Sequence, residues 1–225
     1  MNYDVIIVGA GPGGIYSAYE LMKKCSDKKI AVFDSGYSLK KRHCPIDGEK
    51  VKACIKCKSC SIMSGFGGAG AFSDGKYNIT NDFGGTLYEY IGKKAATELM
   101  QYVDDINMAH GGEGTKMYST AGTNLKKVCL QNRLKLLNAS VRHLGTDINL
   151  VVLGRLYDEL KEHVDFYFES PVSHIECLEN GGYRVWSNDK SYDCEKCIVS
   201  VGRSGSKWME HICKELDIPT KSNRV

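Results

Sequence analysis

Residues 5–14 read VIIVGAGPGG, a short apolar run that ends in a dense group of glycines. A continuous run of mainly β-branched residues is typical of a strand that is buried on both faces. Gly9, Gly11 and Gly14 then match the spacing G-x-G-x-x-G, and apolar residues at helical spacing follow. The order of strand, glycine turn and helix predicts the first half of a dinucleotide-binding βαβ unit.

Each residue of this turn has a mechanical task. Gly9 permits the tight turn, Gly11 lets a pyrophosphate approach the backbone, and Gly14 lets the helix pack closely on the strand. Pro12 suits the first helical turn, where its missing N–H is not needed. The N–H groups at the helix start and the helix dipole would then face the pyrophosphate. The predicted phosphate contacts are Gly9, Gly11, Pro12, Gly13 and Gly14.

The βαβ unit is completed by IAVF at residues 30–33, which predicts a second strand ending at Asp34. An acid at this strand end is placed to accept hydrogen bonds from a ribose, and Ser35 lies beside it. Asp34 lies 25 residues after Gly9, where about 20 is usual. The lysine-rich turn KKCSDKK takes up the difference. We therefore predict a βαβ unit over residues 3–35.

The composition limits the class of protein. The chain has 225 residues, 42% hydrophobic and 25% charged, which is ordinary for a folded globular chain. A formal charge of +3 neither requires nor excludes a polyanionic partner. No run of about 18 apolar residues could span a membrane, and the N-terminus lacks the pattern of a signal peptide. Ten cysteines without an export signal favour reduced thiols or metal ligation, so we expect a cytoplasmic protein with no membrane partner.

The second half of the chain predicts more sheet. Apolar spacing indicates an amphipathic helix over residues 146–164, and short strands follow at DFYFE, VSHIECL, YRVWS and KCIVSVG. A parallel strand, an antiparallel β-meander and a closing strand resemble the assembly of glutathione-reductase-type FAD domains. The expected fold class is α/β, a Rossmann-like FAD-binding domain with a parallel sheet and a β-meander.

Four stretches carry a closer resemblance: YDVIIVGAGPGGIYSA, GFGGAGAFSDGK, RHLGTD and VSVGRSGSKW. In this order they resemble a bacterial family of uncharacterised FAD-dependent dehydrogenases, also described as NAD(FAD)-utilising dehydrogenases. The resemblance covers essentially the whole chain and implies a two-domain flavoprotein with bound FAD and redox activity. Members of that family are about twice as long, and no Gly-Asp dipeptide is present here to hold the ribityl chain. We therefore expect an N-terminal half that is C-terminally incomplete, lacks most of the substrate domain and binds FAD weakly by itself.

The middle of the chain departs from the simple pattern. Residues 38–60 are basic and cysteine-rich with little periodicity, which predicts a loop, and helices are predicted over 86–108 and 124–137. We interpret residues 38–139 as an insertion within one FAD-binding domain, 1–225, that ends with the helix, strands and meander of 140–215. The basic loop is either a solvated surface or a docking face for an acidic electron carrier or RNA. The loop lacks interleaved aromatics, which disfavours nucleic acid.

Further site residues are implied by the related FAD folds. There, a glycine-rich loop lies against the flavin or the pyrophosphate, which predicts contacts from Gly67, Gly68, Gly70, Ser73 and Lys76. Lys76 near the flavin would stabilise its reduced anion. The same resemblance places Val172 at the adenine and Gly202 at the turn that passes the pyrophosphate. Packing turns are the alternative for these glycines.

Catalytic residues are harder to assign. Arg142 and His143 precede the predicted helix, and together with Lys76 they are the candidates for acid–base or flavin contacts. A hydrogen-bonded core histidine is the alternative for His143. Cys194 and Cys197 form a Cys-x-x-Cys pair that we interpret as structural, because Cys197 begins an apolar strand. No second G-x-G-x-x-G follows a predicted strand and opens a helix, so NAD(P)H would act as a transient reductant.

Cys54, Cys57 and Cys60 repeat at Cys-x2-Cys-x2-Cys, and Cys44 lies upstream next to Pro45. This set resembles the ligands of a [4Fe–4S] cluster, with the remote cysteine before the others. Zinc is the alternative metal, and a metal-free thiol loop is the third interpretation.

These features leave three functions open. The first is an FAD-dependent oxidoreductase that acts on a small molecule or an electron carrier. The others are an FAD-dependent RNA-modifying enzyme and a non-catalytic FAD- or metal-binding sensor or fragment.

Overall fold

The computed structural model describes residues 2–221, and their contacts group them into two compact units. The first unit comprises residues 2–71 and 157–221, and the second comprises Phe72–Leu156. The remaining residues of the predicted domain, 1 and 222–225, lie outside the described part. The single FAD-binding domain stays a prediction. The boundary after Ala71 falls inside the glycine-rich stretch, where no boundary was predicted.

The first unit is built on one six-stranded sheet in the order β6-β2-β1-β9-β8-β7. The neighbours β6, β2, β1 and β9 are parallel, whereas β9, β8 and β7 form an antiparallel meander. The strands are β1 Asn2–Val8, β2 Ile30–Phe33, β6 Val164–Tyr167, β7 Val172–Cys177, β8 Tyr183–Ser187 and β9 Lys190–Val199.

Two helices accompany this sheet, α1 Pro12–Lys24 and α6 Ser206–Glu215. Helix α1 buries Ile15, Ala18 and Met22, which are spaced three and four residues apart on one helical face. The predicted strand–turn–helix–strand order of the βαβ unit is therefore present. In β2 every residue is buried, as its continuous apolar sequence predicts.

Strand β9 differs from the sequence-based prediction. Its predicted start was Lys196, but the strand begins at Lys190 and pairs with both β8 and β1. The last strand of the meander and the closing strand are therefore one continuous strand. Cys197 lies inside that strand and does not begin it. The first six residues of this strand are mostly polar, so the apolar pattern did not predict that they belong to it.

The core of the first unit lies between these elements. Tyr3, Ile6, Phe33, Val185 and Ile212 are among its buried members. The Phe33 ring stacks on Tyr167, with ring centroids 4.6 Å apart. Burial of this sheet against helices gives the parallel strands the covered surroundings that such sheets require.

The second unit contains a three-stranded antiparallel sheet in the order β3-β5-β4. Its strands are β3 Lys76–Ile79, β4 Met117–Ser119 and β5 Ser140–His143. Its helices are α2 Leu87–Ile91, α3 Lys93–Asn107, α4 Leu125–Gln131 and α5 Gly145–Leu160, with a turn of π-helix at Met108–Gly112. The last four residues of α5 are grouped with the first unit. The sequence analysis missed this small sheet because its strands are short and mostly polar.

The two predicted helices of this region are shorter than expected. The helix predicted over 86–108 is divided at Gly92, whose φ of +81° ends α2 before α3 begins. The helix predicted over 124–137 ends at Gln131, and Arg133 two residues later has φ +59°. Left-handed backbone cannot continue an α-helix. In both places the backbone conformation, not the apolar spacing, sets the boundary.

Among residues 2–221 no helix has the length and apolar character needed to cross a membrane.

Candidate functional site

The glycine turn after β1 is confined on two sides. Gly9 has φ +106°, and a side chain there would collide with the carbonyl oxygen of Ser200. A side chain on Gly14 would collide with the carbonyl of Gly9 itself. These contacts explain why both positions are glycine. Gly9 permits the left-handed turn, and Gly14 lets α1 begin directly against that turn.

Gly11 is different, because it has room. A Cβ there would meet only the Cα of Gly68, at 4.0 Å, while a Cβ on Gly68 would lie 3.2 Å from the Cα of Gly11. The N–H of Gly67 also donates to the carbonyl of Ala10 at 2.8 Å. The structure therefore brings the predicted glycine-rich loop against the fingerprint turn, and both backbones are bare where they face each other. Gly70 lies near Pro12, with a Cβ position 3.9 Å from Cγ of that ring.

The glycine-rich loop is held by Arg42, a residue that the sequence analysis counted only as a charge of the basic loop. The Arg42 side chain is 5% exposed. Its Nε donates to Ser61 O at 2.8 Å, Nη1 to Phe66 O at 2.6 Å and Nη2 to Ile62 O at 2.8 Å. Burial lowers the pKa of Arg42, and the negative charge of Asp34 opposes that shift. Three carbonyls on one guanidinium fix the shape of the segment that leads into Gly67 and Gly68.

Phe66 also holds the glycine-rich loop in place. Its side chain is fully buried and makes edge contacts with Tyr157 and Phe166, at centroid distances of 5.0 and 5.7 Å. Its N–H donates to Tyr37 O. Apolar packing and backbone bonding thus hold the loop rigidly, as a ligand-binding loop requires.

Asp34 lies at the carboxyl end of β2, as predicted, and its carboxylate ties two turns together. Oδ2 accepts the N–H of Ala10 at 2.8 Å, and Oδ1 accepts the N–H of Gly36 at 2.7 Å. An ionised carboxylate has about four acceptor sites, so two backbone bonds leave capacity for ribose hydroxyls. Ser35 beside it is exposed.

The carboxyl ends of the four parallel strands all lie at one edge of the sheet. The chain runs outward from β1 to β2 and β6 on one side, and β9 lies on the other, so strand order reverses beside β1. Ligands of open α/β sheets bind at such a reversal. Gly202 lies in an open turn just after β9, with no atom within 4 Å of a Cβ position, and Val172 is buried at the start of β7.

Ser200 is the residue that sequence reasoning missed at this edge. Its N–H donates to Val8 O at 2.8 Å. Its hydroxyl lies where a side chain on Gly13 would be, and its carbonyl presses on Gly9. The only signal was its place between two apolar residues in VSVG, which did not distinguish it from any other strand end.

The second unit holds the predicted cofactor contact Ser73 and the three catalytic candidates, Lys76, Arg142 and His143. Ser73 precedes Asp74, whose carboxylate lies 2.5 Å from Nζ of Lys76 and 3.2 Å from Nε2 of His143. Lys76 and His143 are directly opposite each other in the β3–β5 pairing. Hydrogen bonds from Lys76 first, then from His143, hold the pKa of Asp74 below its usual range. The structure therefore combines Lys76 and His143 in one exposed charge cluster, built around an acid that the sequence analysis did not single out.

Arg142, the third catalytic candidate, occupies a buried ion pair. Its Nε lies 3.0 Å from Oδ1 of Asp104, its Nη2 lies 2.7 Å from Oδ2, and its Nη1 donates to Thr115 O at 2.6 Å. Asp104 is 1% exposed, and the pair raises the pKa of Arg142. All three donor nitrogens are in use, which favours a structural role for this side chain.

The four cysteines proposed as metal ligands do not form a site in this structure. Cys54, Cys57 and Cys60 are exposed and Cys44 is half-buried. Among residues 2–221 no three His, Cys, Asp or Glu side chains are placed to hold a metal ion. The iron–sulfur and zinc interpretations therefore have no support from the geometry.

The other Cys-x-x-Cys pair lies in the sheet. Cys194 is buried and Cys197 is half-buried, both in β9. A hydrogen bond to Cys194, together with burial, raises the pKa of Cys197. A raised pKa keeps that thiol protonated and unreactive, in agreement with the structural interpretation.

Comparisons with known proteins bear on the fold. No family model and no curated protein sequence matches the chain. Among solved structures, glycine oxidase from Geobacillus kaustophilus aligns over 96% of this chain and 58% of its own, with TM-score 0.52 and 14% identity. L-alpha-glycerophosphate oxidase from Mycoplasma pneumoniae, solved with FAD bound, aligns over 95% of this chain and 57% of its own, with TM-score 0.51 and 14% identity.

The predicted fold class is confirmed: the chain is α/β with a Rossmann-like, parallel-rich sheet, and its fold is similar to that of these two oxidases. It spans a little over half the length of these two structures.

Proposed function

We propose that the chain is the FAD-binding part of an FAD-dependent oxidoreductase that acts on a small molecule or an electron carrier. The observation that carries this proposal is the meeting of Gly11 and Gly68 at the start of α1, next to Asp34. Two side-chain-free backbones at a helix N-terminus form a cradle that a pyrophosphate fits and that a Cβ would begin to fill. The likeness to the glycerophosphate oxidase, which was solved with FAD, supports FAD as the dinucleotide.

The roles of the chain's own residues follow from their positions. Helix α1 begins without a side-chain cap and without an acid in its first turn, so no acid of the helix itself neutralises its positive end. The spare acceptor sites of Asp34 would bind the ribose hydroxyls. Arg42 and Phe66 would keep Gly67 and Gly68 in place against the pyrophosphate. Bound FAD would supply the electron-transfer chemistry.

The remaining site residues belong to the proposal as well. Gly202 would pass the pyrophosphate and the backbone of Val172 would hold the adenine. Ser73, Gly70 and Lys76 would approach the flavin, where the Lys76 cation would stabilise negative charge on the reduced ring. His143 is the proposed acid–base group, because its imidazole is exposed and shares the carboxylate of Asp74 with Lys76.

The test separates binding from folding. Gly11→Ala adds a methyl group where the protein has room, so the apoprotein should stay folded while FAD affinity falls at least about tenfold. The measurement is titration of the apoprotein with FAD, followed by flavin fluorescence, with NADH titrated in parallel. Gly154→Ala is the matched control, because this glycine of α5 also has no atom within 4 Å of a Cβ position and is not a proposed FAD contact, so FAD affinity should not change. If the parent binds no FAD, or Gly11→Ala binds it equally well, the proposal is wrong.

The electron donor and acceptor need their own experiment. We propose NADH or NADPH as a transient reductant, because, among the described residues, only the G-x-G-x-x-G of residues 9–14 connects a strand to an α-helix, as a dinucleotide fingerprint does. Anaerobic mixing of the FAD-loaded protein with each nucleotide should bleach the flavin absorbance. Readmission of oxygen then tests oxidase behaviour, which the names of both similar structures suggest. A flavin that neither nucleotide reduces would exclude this donor.

A metal centre at Cys44, Cys54, Cys57 and Cys60 stays a prediction from the sequence. Anaerobic purification followed by iron, sulfide and zinc analysis decides it. Iron and acid-labile sulfide near four per chain, lost in Cys57→Ser, would establish a cluster. Stoichiometric zinc would establish the alternative, and neither metal would leave a thiol loop.

A further inference from the structure

One surface of the second unit combines charge and apolar exposure in a way that the proposed function does not use. Residues 124–138, here named the leucine–lysine segment, read NLKKVCLQNRLKLLN and comprise α4 and the turn after it. The segment contains four basic residues and no acidic one. The other 210 residues carry 26 basic and 27 acidic side chains, from totals of 30 and 27. The net positive charge of the chain is therefore concentrated here.

The apolar side chains of the segment are in water. Five of them are 40–65% exposed: Leu125, Val128, Leu130, Leu134 and Leu137. Single exposed leucines are ordinary, but several in one short segment mark a surface that binds something.

The cations lie among these leucines. Lys126, Lys127, Arg133 and Lys135 are all exposed, and within residues 2–221 none of them forms an ion pair. A cavity of about 490 Å³ opens at the segment, lined by Lys126, Arg133 and Lys135 together with Leu130, Leu134 and Leu136. Asp82 is the one acid of that lining, and its Oδ2 already accepts the N–H of Asn138 at 2.9 Å. The apolar recess is therefore rimmed by three cations that have no counter-charge.

We propose that the leucine–lysine segment binds the surface of an anionic lipid bilayer. Basic amphipathic segments lie in the interface with leucines in the acyl boundary and lysines at the headgroups. Protein interfaces differ in composition: their energetic centres are rich in Trp, Tyr, Met and Arg and poor in Lys and Leu. This segment has no aromatic and no Met, and three of its four cations are Lys. This proposal replaces the sequence-based expectation of no membrane partner, which rested on the lack of a membrane-spanning run; binding to the surface of a bilayer needs no such run.

The test is cosedimentation of the full chain with vesicles. Vesicles of phosphatidylcholine alone are compared with vesicles of phosphatidylcholine and phosphatidylserine in equal parts, at low and high salt. Binding should require phosphatidylserine and weaken with salt. Each cation contributes about fivefold to partitioning onto an anionic surface, so Lys126→Gln with Arg133→Gln should lower the partition coefficient about 25-fold.

The apolar contribution has a separate variant. Leu130→Asp with Leu134→Asp should abolish binding even to the anionic vesicles, since acids then lie in the boundary region. Matched controls are Lys52→Gln and Ile55→Asp, which change an exposed cation and a 59% exposed apolar residue in the other basic loop. Thermal melting curves check that every variant folds like the parent. If Leu130→Asp with Leu134→Asp does not fold, Lys126→Gln with Arg133→Gln still tests the proposal.

Three results would overturn the proposal. The first is no sedimentation with phosphatidylserine vesicles. The second is sedimentation that the controls reduce as much as the segment variants do, which would mean that any basic surface suffices. The third is a dimer of the chain in solution that Leu130→Asp with Leu134→Asp dissociates, which would show that a second copy covers the segment.

Discussion

The glycine turn at residues 9–14 and the cysteine repeat at residues 54–60 are both regular motifs, yet the structure treats them in opposite ways. The glycine turn is enclosed: Ser200 presses on Gly9, Gly68 faces Gly11, and Asp34 binds the N–H of Ala10. The cysteine repeat lies in a loop with exposed side chains and brings no metal-binding group together among the described residues. A spacing predicts geometry when packing fixes the backbone that carries it. Where nothing packs on the backbone, the same regularity fixes only the order of the residues.

The largest expected effect tests the enclosure of Gly9 against an open glycine in the cysteine-rich loop. Gly9 has φ +106° and Gly48 has φ +80°. Ala at either position would therefore be destabilised by its left-handed backbone conformation. At Gly48 nothing lies within 4 Å, whereas at Gly9 the new methyl meets the carbonyl of Ser200. Urea unfolding should show a loss of about 1 kcal/mol for Gly48→Ala and at least about 3 kcal/mol for Gly9→Ala. Equal losses would mean that Ser200 does not confine the turn.

The second prediction concerns the link between the two regions. Arg42→Met keeps an unbranched apolar stem but leaves three carbonyls near Ser61, Ile62 and Phe66 without their donor. At roughly 1 kcal/mol for each lost bond, the free energy of unfolding should fall by about 3 kcal/mol. Hydrogen exchange should also accelerate at Gly67.

The control for this prediction is the neighbouring residue. Lys41 is 71% exposed and lies 3.8 Å from Glu169, so Lys41→Met should change stability by less than about 0.5 kcal/mol. A small effect of Arg42→Met would show that the loop is held by Phe66 alone.

The same contrast explains how far the sequence predicts this molecule. Strands β1 and β2 were predictable because their apolar runs are short and continuous, and Asp34 was predictable because it follows the second of them. Ser200 and Arg42 were not, because their importance comes from contacts with residues 19 to 192 positions away along the chain, Ser61 for Arg42 and Val8 for Ser200. The sheet β3-β5-β4 was not predicted, because its strands are half-exposed and show no alternation of apolar and polar residues.

Two classes of cysteine give the third prediction. Cys194 is 5% exposed within the core cluster, and a buried Ser hydroxyl there would lose apolar packing, so Cys194→Ser should cost about 1–2 kcal/mol. Cys57→Ser, at an exposed position of the loop, should change stability by less than about 0.5 kcal/mol in metal-free protein. Native protein should expose four fast-reacting thiols to an aromatic disulfide reagent, those of Cys54, Cys57, Cys60 and Cys177. Protection of the first three would indicate that the loop binds metal or packs on another surface.

The smallest expected effect concerns the charge cluster of the second unit and depends on pH. Hydrogen bonds from Lys76 and His143 hold the pKa of Asp74 below its usual range in the folded state. A carboxyl whose folded pKa is depressed stabilises the fold above its unfolded pKa, and that stabilisation is lost as pH falls through the folded pKa. Asp74→Asn should therefore lower the urea midpoint slightly near neutral pH, and this difference should shrink at acid pH as the parent carboxyl becomes protonated. High salt should shrink the neutral-pH difference, because all three groups are exposed. Asp189→Asn, at an exposed carboxylate outside the cluster, is the control and should show no difference at either pH. An Asp74→Asn effect that persists at acid pH would mean that the carboxylate acts by packing or turn geometry and not by its charge.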